Sequence, residues 1–289
     1  MRVAAAQISC APGNVDANLR KVRESCERAR KAGAELIVFP EMTDTGYSMP
    51  LIQKHAAAWN EGAVPKLREL AKELSLLIVC GVSEREGSSL YNAQAIVDSS
   101  GEILAKYRKM HLIAAAPLNE RSCFSAGDKF VSCKIADTRS VALESDERLT
   151  NGTQRSGDQP LLAGHFTIGL TICYDLRFPE MCRKLAVDHG VDMFVTSSAW
   201  PFVRIEHLRV LALARAMENQ CYLILANRVG TDGGVTLCGS SAIIDPYGTI
   251  LAAAPPDRET LIYADINRET LDLVRSQMKV FEHRRADLY

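Results

Sequence analysis

The chain has 289 residues, 47% of them hydrophobic and 24% charged, an ordinary globular composition that excludes disordered and collagenous classes. Thirty-four Lys plus Arg stand against 35 Asp plus Glu for a formal charge of -1, and without a run of basic residues no nucleic-acid partner is expected. No window approaches the ~18 consecutive apolar residues of a membrane span, so no membrane association is expected either.

Met1 to Cys10 is too short an apolar run for a secretory leader and reads as a buried strand over Val3–Ile8, which favours a cytoplasmic location. Asn14 opens a helix to about Ala32, with Ala17, Leu19, Val22, Cys26 and Ala29 on one face, and Gly33 closes it. Leu36–Phe39 is a short strand, and Pro40 places Glu41 just past its end. Val64–Leu74 reads as a helix, Leu76–Cys80 as a strand, and Leu90–Val97 with Ile103–Tyr107 as a hairpin that delivers Arg108-Lys109-Met110-His111. Residues 136–163 are polar and aperiodic, as in a long surface excursion.

Phe166–Ile172 is a clear strand ending at Cys173. A helix from Pro179 to His189, a strand over Val191–Ser197, a helix over Ile205–Gln220 and a strand over Tyr222–Asn227 follow. Leu237–Ile244 and Ile250–Ala253 form a second hairpin, with a last strand over Leu261–Ile266. Hairpins mixed with βα units indicate an α/β protein of mixed sheets covered by helices.

Nine cysteines are scattered through the chain without a Cys-x-x-Cys pair, and six histidines are equally dispersed. Neither pattern has the spacing of a disulfide framework or a zinc site, so no metal or other cofactor is expected. Cys173 stands apart from the other thiols. It ends a strand and precedes a tight turn in Thr171-Ile172-Cys173-Tyr174-Asp175-Leu176-Arg177-Phe178-Pro179-Glu180, a placement that exposes sulfur to a pocket beside unpaired backbone N–H groups. A thiol with a pKa of ~8.5 needs a nearby base or cation to act as a nucleophile. Glu41 and Lys109, each at the end of another strand, are candidates for base and oxyanion holder. Taken singly, each has a plainer reading: a core thiol, a helix-start acid, a solvated basic face.

Together these segments resemble the nitrilase superfamily of carbon-nitrogen hydrolases. The resemblance rests on Phe39-Pro40-Glu41 with Thr45-Gly46-Tyr47, on Tyr107-Arg108-Lys109-Met110-His111-Leu112 and on Cys173 to Glu180. Arg215 to Gln220, Asn227-Arg228-Val229-Gly230 and Arg284 to Tyr289 follow in the family's order. The resemblance implies one domain over residues 1–289, folded as a four-layer αββα sandwich of two mixed β-sheets flanked by helices. It implies a Glu-Lys-Cys triad on Glu41, Lys109 and Cys173, and a second glutamate that falls on Glu120. The activity implied is hydrolysis of a small-molecule amide through a Cys thioester with release of ammonia, in a homodimer or higher homo-oligomer.

The Tyr174 backbone N–H is a candidate second oxyanion donor. Arg177 suits a substrate carboxylate, as in ω-amidases or deaminated-glutathione amidases, or else a structural salt bridge with Glu180 or Glu206. Trp200 and Tyr47 either wall the pocket or belong to the core. Alternatives are an N-carbamoyl amidohydrolase or nitrilase on the same triad, a papain-like Cys-His enzyme using His111, His165 or His207, and a non-enzymatic binding or scaffold protein.

Overall fold

A computed structural model describes residues 1–114, 118–136 and 164–288. Apart from Ala136, the polar excursion expected at 136–163 lies outside the described residues. The strands, in chain order, are β1 (Arg2–Gln7), β2 (Leu36–Val38), β3 (Leu77–Glu86), β4 (Ser89–Val97), β5 (Ile103–Arg108), β6 (Ser132–Ala136), β7 (His165–Ile172), β8 (Met193–Ser198), β9 (Tyr222–Asn227), β10 (Val229–Asp232), β11 (Val235–Cys238), β12 (Ala242–Ile244), β13 (Ile250–Ala253) and β14 (Thr260–Asp265). The described helices are α1 (Val15–Lys31), α2 (Met49–His55), α3 (Ala63–Leu74), α4 (Pro179–Asp188), α5 (Ile205–Asn219) and α6 (Arg268–Gln277).

Two six-stranded sheets form, ordered β14-β1-β2-β3-β4-β5 and β13-β12-β9-β8-β7-β6, with β10-β11 as a separate ribbon. Strand alternation makes the layers. In β1, Ala4 and Ala6 face Val22, Cys26 and Ala29 of α1 and Leu67 and Leu70 of α3, whereas Val3 and Ala5 face the second sheet. On the far side of that sheet lie Met181 and Leu185 of α4 and Leu208 and Ala212 of α5. The result is an αββα sandwich of two mixed sheets. α1 forms where expected because the Asn14 side chain accepts the Ala17 N–H at 3.1 Å and Gly33, at φ 79°, ends the helical path.

β1, β2 and β3 run parallel, as do β7, β8 and β9. The carboxyl ends of β2, β7 and β8 therefore open on one region, the usual place for chemistry in a parallel arrangement. Ser197 locks the sheets there: its Oγ donates to Phe39 O at 2.7 Å and accepts from Gln94 Nε2 at 2.8 Å.

The expected strand over 237–244 is broken in two. Gly239 and Ser240 take φ values of 52° and 55°, so β11 turns back on β10 while β12 joins β9 and β13. α2, β6, β10 and α6 were not anticipated. β6 and β10 are short and partly polar, and α2 carries Pro50 in its first turn, so these three have no long periodic signal; α6 has one, with the Asn267 cap and Leu271 and Val274 on its buried face.

Candidate active site

Glu41 follows β2 in a tight loop where Met42 adopts φ 50°, an uncommon conformation for a side-chain-bearing residue and one that recurs at functional sites. Asp44 pins this loop by accepting the Ser83 N–H at 3.0 Å and the Ser83 hydroxyl at 2.7 Å. Gly81 on β3 is bare because a Cβ there would strike the Pro40 carbonyl oxygen and lie 2.7 Å from Glu41 Cα. Lys109 directly follows β5, its N–H bonded to Asn92 O and its carbonyl to the Gly127 N–H, both at 2.8 Å. A side chain at Gly127 would meet the Arg108 carbonyl. Backbone contact thus fixes the carriers of both charges.

The charges themselves are fully buried. Lys109 Nζ donates to Glu41 Oε1 and Glu120 Oε1, each at 2.8 Å. The other Glu41 oxygen accepts the Ala199 N–H at 2.9 Å, and Asn92 Nδ2 donates to Glu41 Oε1 at 2.6 Å and to Glu120 Oε1 at 3.2 Å. Glu120 also accepts the Tyr47 hydroxyl at 2.6 Å and the Ile113 N–H at 2.8 Å. Two carboxylates on one ammonium carry net negative charge, and these neutral donors spread it.

Burial pushes the Glu41 carboxyl above the usual carboxylate range, with Lys109 pulling the other way. For Lys109, burial works against the ammonium, but Glu120 and Glu41 outweigh it and hold the group charged. Burial also raises the Tyr47 phenol, which stays a neutral donor.

Cys173 ends β7 at φ 46° and begins a one-turn 3-10 segment, Cys173–Arg177, that leads into α4. The first N–H groups of such a turn have no acceptor within it, and Tyr174 supplies one of them. The buried Asp175 carboxylate braces the turn. One oxygen accepts the Ile172 N–H at 2.9 Å and the Tyr107 hydroxyl at 2.7 Å, while the other meets His111 Nδ1 at 2.8 Å and accepts the His111 N–H at 3.2 Å. The His111 ring stacks on Phe178 at 3.7 Å. The thiol-bearing turn and the lysine-bearing segment therefore share one carboxylate. Burial, then Glu41, raise the Cys173 thiol, and Lys109 lowers it.

A cavity of about 290 Å³ opens on Cys173, lined among others by Tyr174, Arg177, Trp200, Arg204 and His207. The Arg177 guanidinium lies 4.8 Å from the Trp200 ring centre and its Nη2 is 3.2 Å from His207 Nδ1. Among the described residues no carboxylate pairs with Arg177, and Glu206, one of its expected partners, pairs with Arg209 instead. Burial lowers the Arg177 pKa, as for a partly desolvated cation. Trp200 lines the cavity, its indole N–H donating to Arg204 O at 2.9 Å. Tyr47 sits on Glu120 at the back of the charge cluster. Among the described residues no three His, Cys, Asp or Glu side chains converge as a metal-binding group.

Asn92 and Arg204 were not among the expected site residues, and His207 was expected only as a partner for the thiol. Asn92 left a signal, being a polar residue inside the apolar run Leu90–Val97; Arg204 left none, since only folding brings the start of α5 over Cys173.

The carbon-nitrogen hydrolase family profile matches residues 2–276. The chain is 31% identical to the 2-oxoglutaramate amidase of Bacillus subtilis over 284 residues, covering 98% of this chain and 97% of the relative. It is 30% identical to the omega-amidase NIT2 of Homo sapiens, covering 93% and 90%. Among solved structures it resembles Saccharomyces cerevisiae Nit3, a member of branch 10 of the nitrilase superfamily, with a TM-score of 0.80, 26% identity and coverage of 99% and 96%. An amidase from Nesterenkonia sp. gives 0.78 and 25%, covering 100% and 94%. With the αββα sandwich and the cysteine-bearing cavity described, a match of this extent means that the chain belongs to the carbon-nitrogen hydrolase family, hydrolases of carbon-nitrogen bonds other than peptide bonds.

Proposed function

We propose that Cys173, Glu41 and Lys109 are the nucleophile, base and oxyanion holder of an amidase whose substrate carries a carboxylate. The observation that carries this reading is a strained cysteine at a cavity that also holds Arg177, beside a buried carboxylate-ammonium-carboxylate cluster. Glu41 takes the thiol proton, and Cys173 Sγ attacks the amide carbon. The Lys109 ammonium and the Tyr174 N–H hold the oxyanion. Collapse breaks the C–N bond as Glu41 returns the proton to the departing ammonia, leaving a thioester. Water, deprotonated by Glu41, then releases the acid and the thiol. Glu120 touches no reacting atom; it holds Lys109 in place and balances its charge.

The substrate side rests on Arg177. A guanidinium partly withdrawn from water, without a carboxylate partner among the described residues and beside Arg204 and His207, favours an anionic substrate group. Relatives named 2-oxoglutaramate amidase and omega-amidase fit that chemistry. The same reading takes residues 1–289 as one domain, a cytoplasmic location from nine free thiols and a homo-oligomer from the exposed side chains Val203, Val210 and Met217 at seven-residue spacing.

Ammonia release from a panel of amides tests it. For Arg177→Lys, kcat/KM on ω-amides of short acids should fall about 10- to 100-fold, the loss of a charge-assisted bidentate contact, with neutral amides little changed. An equal loss on both classes would assign Arg177 a structural role.

A further inference from the structure

The end of β8 carries three hydroxyls in a row, and two have partners. Thr196 Oγ1 pairs with Thr171 Oγ1 at 2.7 Å, and Ser197 Oγ bridges Phe39 O and Gln94. Ser198 is equally buried, yet its Oγ has no hydrogen-bond partner. A hydroxyl withdrawn from water without a partner is costly, and such groups call for an explanation. The Ser198 backbone is not slack: its carbonyl accepts the Glu41 N–H at 3.4 Å and the Arg228 N–H at 3.0 Å.

Its neighbour supplies the explanation. β7 and β8 are parallel, with Ile172 opposite Ser197. One residue further on, past the end of the ladder, Cys173 and Ser198 leave their strands side by side. Ala199, the next residue, gives its N–H to Glu41. We propose that Ser198 is a further catalytic residue whose hydroxyl turns to donate a hydrogen bond to the Cys173 thiolate. The donor lacks a partner in the resting protein because the charge it serves appears only during turnover, the general logic of groups aimed at developing charge.

The inference rests on Cys173 acting as nucleophile. In the step concerned, the S–H bond breaks and its proton passes to the Glu41 carboxylate; Ser198 keeps its own proton and lends only the hydrogen bond. Glu41 and Lys109 are the charged groups facing the thiol from the ends of β2 and β5, and Arg177 does so from its own turn. The Ser198 hydroxyl stands close enough to the thiol to favour its thiolate alongside Lys109, against burial and Glu41, although it forms no hydrogen bond in the resting geometry.

The test compares the pH profile of inactivation by iodoacetamide in wild type, Ser198→Ala and Ser198→Thr, with the alkylated cysteine located by peptide mass and Tm measured for each. For Ser198→Ala the alkylation rate at neutral pH should fall about tenfold, the weight of one hydrogen bond to a charged group, and the profile should move to higher pH. Its Tm should stay level or rise, since no resting-state bond is lost. Ser198→Thr keeps the hydroxyl and should keep the wild-type profile. The proposal is overturned if the Ala and wild-type profiles superimpose, if Ala and Thr move together, or if Ala lowers Tm as the loss of a structural bond would. Alkylation that inactivates without modifying Cys173 is a different result, one that removes the nucleophile assignment itself.

Discussion

Two buried glutamates in this chain have opposite electrostatic fates. Glu84 on β3 is raised by burial but pulled down further by Arg108 and Lys106, at 2.7 Å each, so its carboxyl ends below the usual range. Its contribution to stability is therefore present above the unfolded value of ~4.3 and is lost as pH falls through its lower folded value. Glu41 ends above the usual range because burial outweighs Lys109. A base works only when ionised, so kcat/KM should fall on acidification at a pH above ~4.3, while circular dichroism still reports a folded protein. Activity held flat down to the ordinary carboxylate range, or lost only together with the fold, would contradict the assignment of Glu41. Glu41, Lys109 and Cys173 could be singled out as candidates because each follows a short apolar strand and sits in a recognisable motif. The bonds that set the Glu41 charge were not legible, since Asn92 and the Ala199 N–H reach it from distant parts of the chain.

At the scale of elements, glycine placement decides where the backbone carrying Glu41 can go. The strand expected over Leu76–Cys80 is longer than the apolar run that marks it, for β3 runs on to Glu86. Gly81 is there for close approach, because the Pro40-Glu41 turn packs directly on its backbone. Gly81→Ala should therefore displace Glu41 and lower kcat by about 100-fold, the scale of a 1 Å misplacement. Gly87→Ala provides the comparison. Gly87 turns the β3–β4 hairpin at φ 59° with open space around it, so the substitution should cost roughly 1 kcal/mol of stability and leave kcat unchanged. Equal kcat in the Gly81 variant, measured by steady-state ammonia release, would mean that the turn tolerates movement. Gly239 gives the same lesson: a Cβ there would lie 2.7 Å from Gln7 Nε2, and the expected strand 237–244 breaks at that point.

For the whole molecule, the layers follow from strands whose alternate residues serve two different cores; apolar runs such as Leu36–Phe39 and Phe166–Ile172 marked the strands in advance, while the layering was expected from the family resemblance. The C-terminal closure was less visible. Asp192, buried at the start of β8, accepts the Thr167 N–H at 3.0 Å and pairs with Arg268 at 2.6 Å and Arg275 at 2.8 Å, both on α6. Only the folded chain brings residue 192 to residues 268 and 275, so this tie was not legible in the sequence, although Leu271 and Val274 give α6 an apolar face. Asp192→Asn should cost about 2 kcal/mol and lower Tm by roughly 4–8 °C, with kcat within about twofold of wild type because the tie is remote from Cys173. A large loss of kcat at unchanged Tm would show that this tie reaches the active site.

The central claim, covalent catalysis at Cys173, is tested most directly by the mass of the enzyme quenched in acid during turnover of a small ω-amide. The account predicts an adduct equal to the substrate less ammonia, carried on the peptide containing Cys173 and absent from Cys173→Ala, which should also release no ammonia. Sustained turnover by Cys173→Ala, or an acyl group found on another residue, would contradict it.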